Sequence, residues 1–133
     1  MLQSVDLRDY MISSPIRIKE DASVLEAMNK IIEHKVSGVC VVDESNTLIG
    51  IFSEMDCLAA ILKATYNEVG AGLVKEYMTK DNLIVAHPGD GIINVAQDML
   101  LKNQRRRPVV EDGKLVGQVS CRQLLMAVNK FNK

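Results

Sequence analysis

Nowhere does the chain approach the run of about 18 apolar residues that a membrane-spanning helix requires. Its opening, MLQSVDLRDYM, has neither the basic start nor the apolar stretch of a signal peptide. A soluble, cytoplasmic protein with no membrane association is the expectation. Charge of neither sign prevails: 16 Lys+Arg stand against 17 Asp+Glu, a formal net charge of -1. No overall field draws such a chain to nucleic acid or to an anionic membrane, so charge recognition has to be local. Cysteine is sparse. Cys40, Cys57 and Cys121 are odd in number, far apart and set among apolar neighbours without a CxxC pair, which reads as three buried reduced thiols. His34 and His87 lack cysteine or carboxylate partners at metal-ligand spacing and are expected at the surface. GxGxxG loops, Walker-type loops and a Ser/His/Asp set are missing as well, so an enzyme is not expected.

What is present is repetition. LRDYM at 7–11 returns as VKEYM at 74–78, VVD at 41–43 as VVE at 109–111, and GIFSEMD at 50–56 as GQVSCRQ at 117–123. Tyr10 and Tyr77, like Gly50 and Gly117, lie 67 residues apart. Self-similarity at one spacing marks two structural copies. We divide the chain into repeat 1 at residues 1–65, a linker at 66–72 (YNEVGAG) and repeat 2 at 73–133. A half of about 60 residues buries little core alone, so the copies are expected to pack as one unit.

Each copy has the same order of elements. A short apolar strand comes first, PIRI at 15–18 and NLIV at 82–85. A helix follows, with Val24, Ala27, Met28, Ile31 and Ile32 on one stripe and Ile92, Val95, Ala96, Met99 and Leu100 as their counterparts. Ser23 with Glu26 forms a capping box at the first of these helices. VCVVD and LIGIF flank ESNT, and PVVE and LVGQV flank DGK, so each copy holds a hairpin. A second helix begins at Ser53 or Ser120, with Leu58, Ile61 and Leu62 in one copy and Leu124, Leu125 and Val128 in the other. The predicted fold is α/β (α+β), two βαββα repeats packed into one compact unit.

The repeat as a whole, with the VVD…LIGIFSEMD block and its echo PVVEDGKLVGQVS, resembles a tandem pair of cystathionine-β-synthase-type (CBS) domains, a Bateman module. The resemblance covers essentially the whole chain. It implies packing of the copies with pseudo-twofold symmetry, clefts between them that bind adenosine-containing ligands, a role in reporting energy or metabolite status to an effector protein, and association as a homodimer.

The residues support a site of that kind. Ser53 and Asp56 fall on the first turn of a helix, where unpaired N–H groups and the positive end of the dipole favour an anion. A carboxylate can accept both hydroxyls of a ribose diol but repels phosphate, so Asp56 suits the sugar and Ser53 the phosphate. The family's Gly-x-x-Ser/Thr-x-x-Asp motif implies the same division. Ser-x-x-Asp and Ser-x-x-Gln are also capping boxes, and capping is the preferred reading for Ser120 and Gln123. In NQRRRP, Arg105, Arg106 and Arg107 stand opposite Ser37, Gly38 and Val39 of the first copy. They suit either a solvated helix end or, as the resemblance implies, the phosphate of a ligand whose ribose the other copy holds. Ser53 and Asp56 with Arg105 and Arg106 then make one complete site. The reciprocal set, Gln123 with Ser37 and Gly38, lacks both the carboxylate and the cations and should be weak or empty. Ile51, Leu83 and Ile84 are candidates for an apolar adenine slot, and equally for plain core. Family resemblance favours AMP over ADP, ATP and S-adenosylmethionine, and no further cofactor is expected. The rival reading is a ligand-free dimerisation or interaction scaffold with the arginines as a docking patch.

Overall fold

The computed structural model describes residues 6–67 and 70–131; the first five residues of MLQSVDLRDYM and two residues of the 66–72 linker lie outside that range. The elements follow the expected order with one omission. They are β1 (Arg17–Lys19), α1 (Val24–His34), β2 (Gly38–Val42), β3 (Leu48–Ser53), α2 (Glu54–Asn67), α3 (Ile92–Leu101), β4 (Arg106–Glu111), β5 (Lys114–Ser120) and α4 (Cys121–Phe131). Short 3-10 turns at Leu7–Asp9 and Val74–Glu76 precede each set. The α2 helix continues through Asn67, into the stretch read as a linker.

Local chemistry explains the repeated shape. The Ser23 hydroxyl accepts the Glu26 amide at 3.1 Å and starts α1, and left-handed Lys35 (φ 54°) ends it. Asn103 (φ 51°) takes the same conformation after α3. Asp112 and Gly113 both have positive φ, 52° and 79°, the requirement of a tight primed hairpin turn between β4 and β5. In the other hairpin Asp43 Oδ1 accepts the amides of Ser45 and Thr47, making an Asx-type turn. Both hairpins carry a register shift at the equivalent place, Val41/Val42 and Val109/Val110.

The strand expected at 82–85 is absent, and the reason lies in its neighbour. In the first copy β1 runs parallel to β2, with the Cys40 amide donating to the Ile16 carbonyl at 3.2 Å. The position equivalent to Cys40 is Pro108, which has no N–H to give. Pairing there contracts to a single parallel bridge, Ala86 to Val109, and Leu83 and Ile84 lie outside any strand.

Compactness divides the chain otherwise than the repeats run. One unit is Ile16–Leu83; the other joins the leader through Pro15 to the chain from Ile84 onward. Each leader therefore packs on the hairpin of the other copy. Within the Ile16–Leu83 unit Ile51 bridges Thr79, and within the second unit Ile12 bridges Gln118. The repeated glycines are fitted to this contact: a Cβ on Gly50 would lie 2.7 Å from Met78 Sδ and 3.0 Å from the Thr79 carbonyl, and one on Gly117 2.7 Å from Met11 Sδ and 2.8 Å from the Ile12 carbonyl. Lysine ammoniums cover the leader tyrosines in the same way, Lys63 over Tyr77 at 5.9 Å and Lys130 over Tyr10 at 5.8 Å.

Each unit has its own core. Ile18, Val24, Val41, Phe52, Ala60 and Val74 centre one; Leu7, Ile92, Met99, Val109, Val119 and Ala127 centre the other. The predicted helix stripes are too wide. Ile32 on α1 and Leu100 on α3 face outward, 66% and 81% exposed. On α2 and α4, which carry more apolar residues than one buried face requires, Leu58, Leu62, Leu125 and Val128 are exposed. Cys40 and Cys57 are buried as expected, whereas Cys121 is exposed because it opens α4, on the first turn, instead of facing the core. Both histidines are at the surface.

Candidate functional site

The turn from β3 into α2 is closed by two reciprocal bonds. Asp56 Oδ2 accepts the Ser53 amide at 2.9 Å, and Ser53 Oγ accepts the Asp56 amide at 3.1 Å. The same construction recurs from β5 into α4, where Gln123 Oε1 accepts the Ser120 amide at 2.7 Å and the Ser120 hydroxyl at 2.6 Å, and Ser120 Oγ accepts the Gln123 amide at 3.4 Å. Both phrases are therefore helix caps. They differ in what is left over. The Asp56 carboxylate uses one oxygen in the cap and retains Oδ1 with a negative charge, whereas a single neutral amide oxygen of Gln123 takes both of its donors. Burial, then the adjacent Asp56 carboxylate, push the Cys57 thiol above its usual pKa, so this cysteine stays a protonated core residue.

The three arginines lie in register with the first copy as aligned from sequence: Gly38 pairs with Ser53, and Arg106 with Ser120. Their surroundings are unlike one another. Arg107 is buried, 4% exposed, and its guanidinium is partnered, Nε donating to Gln104 Oε1 at 2.9 Å and NH2 to Asp98 Oδ2 at 2.7 Å. Arg106 is half-buried, and its Nε is buried with no acceptor among the described residues. Arg105 is exposed and lines a groove of about 270 Å³ between α3 and α4, with Met99, Leu100, Cys121 and Leu125 as apolar walls. The site expected from sequence takes Arg105 and Arg106 and leaves Arg107 out; the bonds to Asp98 and Gln104 show what Arg107 does instead.

Of the remaining candidates, Ile51 is partly buried and tied by its backbone to Thr79, with both amide–carbonyl bonds at 2.9 Å. Leu83 is partly buried, and Ile84 is 38% exposed in the segment that Pro108 leaves unpaired. Ile51, Ser53, Asp56 and Leu83 belong to the Ile16–Leu83 unit, and Ile84, Arg105 and Arg106 to the other. Among the described residues no cluster of His, Cys, Asp and Glu could hold a metal ion, and no helix is long and apolar enough to cross a membrane.

A βαββα copy and an αββα copy, each with a capped turn after its hairpin, define the class. The family model for the CBS domain matches residues 7–63 and again 74–130, and the chain belongs to the CBS domain family as a tandem pair. Among curated relatives, an uncharacterized protein of Methanocaldococcus jannaschii is 36% identical over 115 residues, 86% of this chain and 39% of that one. The inosine-5'-monophosphate dehydrogenase of Aquifex aeolicus is 35% identical over 117 residues, 86% of this chain and 23% of the enzyme. The chain thus spans under two fifths of the length of these relatives. Among solved structures, the CBS-pair protein CBSX2 of Arabidopsis thaliana in complex with AMP has a TM-score of 0.84 at 28% identity, covering 96% of this chain and 98% of that one. A CBS domain pair solved with 5'-methylthioadenosine and S-adenosyl-L-methionine has a TM-score of 0.77 at 27% identity, covering 98% and 100%.

Proposed function

We propose that this CBS pair is a regulatory module, acting in the cytoplasm, which binds an adenosine-containing ligand and reports energy or metabolite status to an effector protein. The reading keeps two repeats, 1–65 and 73–133, joined through 66–72. AMP is favoured over ADP, ATP and S-adenosylmethionine. In this site Asp56 holds the ribose diol, Ser53 and Arg106 the phosphate, Arg105 adds a second cation, and Ile51, Leu83 and Ile84 flank the adenine. The observation that carries the reading is the Arg106 Nε: a buried donor without an acceptor is costly, and a phosphate oxygen is the acceptor that a guanidinium binds best. The spare charge on Asp56 supports it from the sugar side, and similar CBS pairs solved with AMP and with S-adenosyl-L-methionine support the ligand class. No catalytic role is assigned to any residue.

A thermal-shift series with the four ligands tests the proposal. Ligand at about 100 times its dissociation constant adds roughly 2.7 kcal/mol to the native state, which for a chain of this size raises the melting temperature by roughly 5 to 10 °C. No shift with any of them at millimolar concentration would favour the ligand-free scaffold.

The exposed faces of α2 and α4 support homodimerisation. Leu58, Leu62 and Met55 on α2 and Leu125 and Met126 on α4 expose more apolar surface than a solitary module needs. Light scattering at high micromolar concentration should report twice the chain mass of 14.7 kDa, and a monomer there rejects the dimer.

A further inference from the structure

The two copies of one fold serve as each other's control. Where β2 has Val39, buried at 2% exposure, β4 has Arg107, buried at 4%. The residues that hold Arg107 are also peculiar to the second copy: Asp98 stands at the position of Lys30, and Gln104 at that of Val36. The copies therefore differ at three linked positions. The fold itself does not demand this, since a valine fills the site in the first copy, and an apolar residue in place of a buried ion pair is generally neutral or stabilising. A buried guanidinium held by one partly exposed carboxylate and one amide needs another reason.

Its neighbours along the chain supply one. Asp98 lies on α3, Gln104 in the turn after left-handed Asn103, and Arg107 on β4, so the bonds at 2.7 and 2.9 Å span the segment that contains Arg105 and Arg106. The Asp98 carboxyl is held below its ordinary value, first by the hydrogen bond from Lys102 at 2.9 Å and then by that from Arg107, so it remains charged through the neutral range. We propose that Arg107, Asp98 and Gln104 form a latch that positions the Arg105–Arg106 segment for an anionic ligand, and so sets the preference for a nucleotide over a nucleoside. The proposal rests on the adenosyl-ligand reading above. Arg107 is here a positioning residue. It adds no contact of its own to the ligand but removes the freedom of a turn whose cations would otherwise have to be ordered on binding, a cost that falls on affinity.

Arg107→Val in the full chain, which installs the first copy's residue, tests the latch with and without ligand. Hydrogen exchange should speed up about tenfold at the amides of residues 103–106 and stay unchanged in the middle of α3. By calorimetry, AMP affinity should fall about tenfold and adenosine affinity by less than about twofold. Unchanged exchange at 103–106, or an equal loss for AMP and adenosine, would overturn the proposal. Gln104→Ala severs one of the two bonds at a half-buried position and should show the same pattern at smaller size, so a failure of the valine variant to fold leaves the test standing. If the unaltered protein binds neither ligand, the functional reading fails by itself, and the latch is then judged on exchange alone.

Discussion

Asparagine at position 56 is expected to lower AMP affinity roughly 10- to 100-fold while the melting temperature of the unliganded protein barely moves. The two halves of that result separate the two roles of Asp56. Its bond from the Ser53 amide at 2.9 Å needs only an acceptor, which the asparagine carbonyl supplies, so the cap at the start of α2 survives. What disappears is the charged acceptor for the ribose diol, and a hydrogen bond to a charged group contributes about 1.5 to 3 kcal/mol. Titration calorimetry with adenosine as well as AMP should show the loss for both, since both have the diol. Arg106→Ala should weaken AMP far more than adenosine, because only AMP has a phosphate to lose. Gln123→Ala should leave both affinities nearly unchanged, its carbonyl being taken up by Ser120. Two equal sites per chain, or a loss from Gln123→Ala as large as that from Asp56→Asn, would reject the asymmetric site and leave the CBS family assignment intact.

The repeat was legible because it is written in elements whose chemistry is local. Hairpin turns announce themselves in DGK and ESNT, the helix starts in Ser23, Ser53 and Ser120, and the register of Arg106 opposite Ser120 follows from counting. The main misreadings turn on a partner outside the segment being read. Nothing in NLIV says that it is not a strand; the decision is made by Pro108, whose missing N–H removes the rung that Cys40 provides in the first copy. Nothing in RRR says that one arginine is a core residue; Asp98 and Gln104 decide that. The helix stripes were drawn too wide for a related reason. An apolar residue facing a neighbouring element and one facing outward, such as Ile31 and Ile32, have the same appearance in a period count. The site residues are the part least fixed by local pattern, since a capping box and a ligand-binding first turn use the same letters at the same spacing.

Ownership of the leaders is the largest structural feature that the repeat alone leaves open, and Leu7→Ala probes it. Leu7 is fully buried, in the core formed with Ala86, Ile92, Val95 and Val109, although in the sequence it heads the first copy. Truncating a fully buried leucine costs about 2 to 5 kcal/mol, a large share of the roughly 5 to 15 kcal/mol by which a native domain is stable. The melting temperature should fall on the order of 10 °C. Location matters more than size here. The Leu7 and Arg8 amides donate to the Asp90 and Pro88 carbonyls, and Ile12 pairs with Gln118, so the leader is fastened to the segment that begins at Ile84. Hydrogen exchange in Leu7→Ala should therefore rise most in α3, β4, β5 and α4, with β2 and β3 less affected, since local openings follow cooperative packing units and not sequence neighbours. Val74→Ala, the equivalent change in the second leader, should reverse the pattern, because Val74 is buried with Ile18, Val24 and Phe52. If Leu7→Ala instead loosened β2 and β3 first, each leader would have to pack on the hairpin of its own copy, and the close approach of Met11 to Gly117 would be wrong.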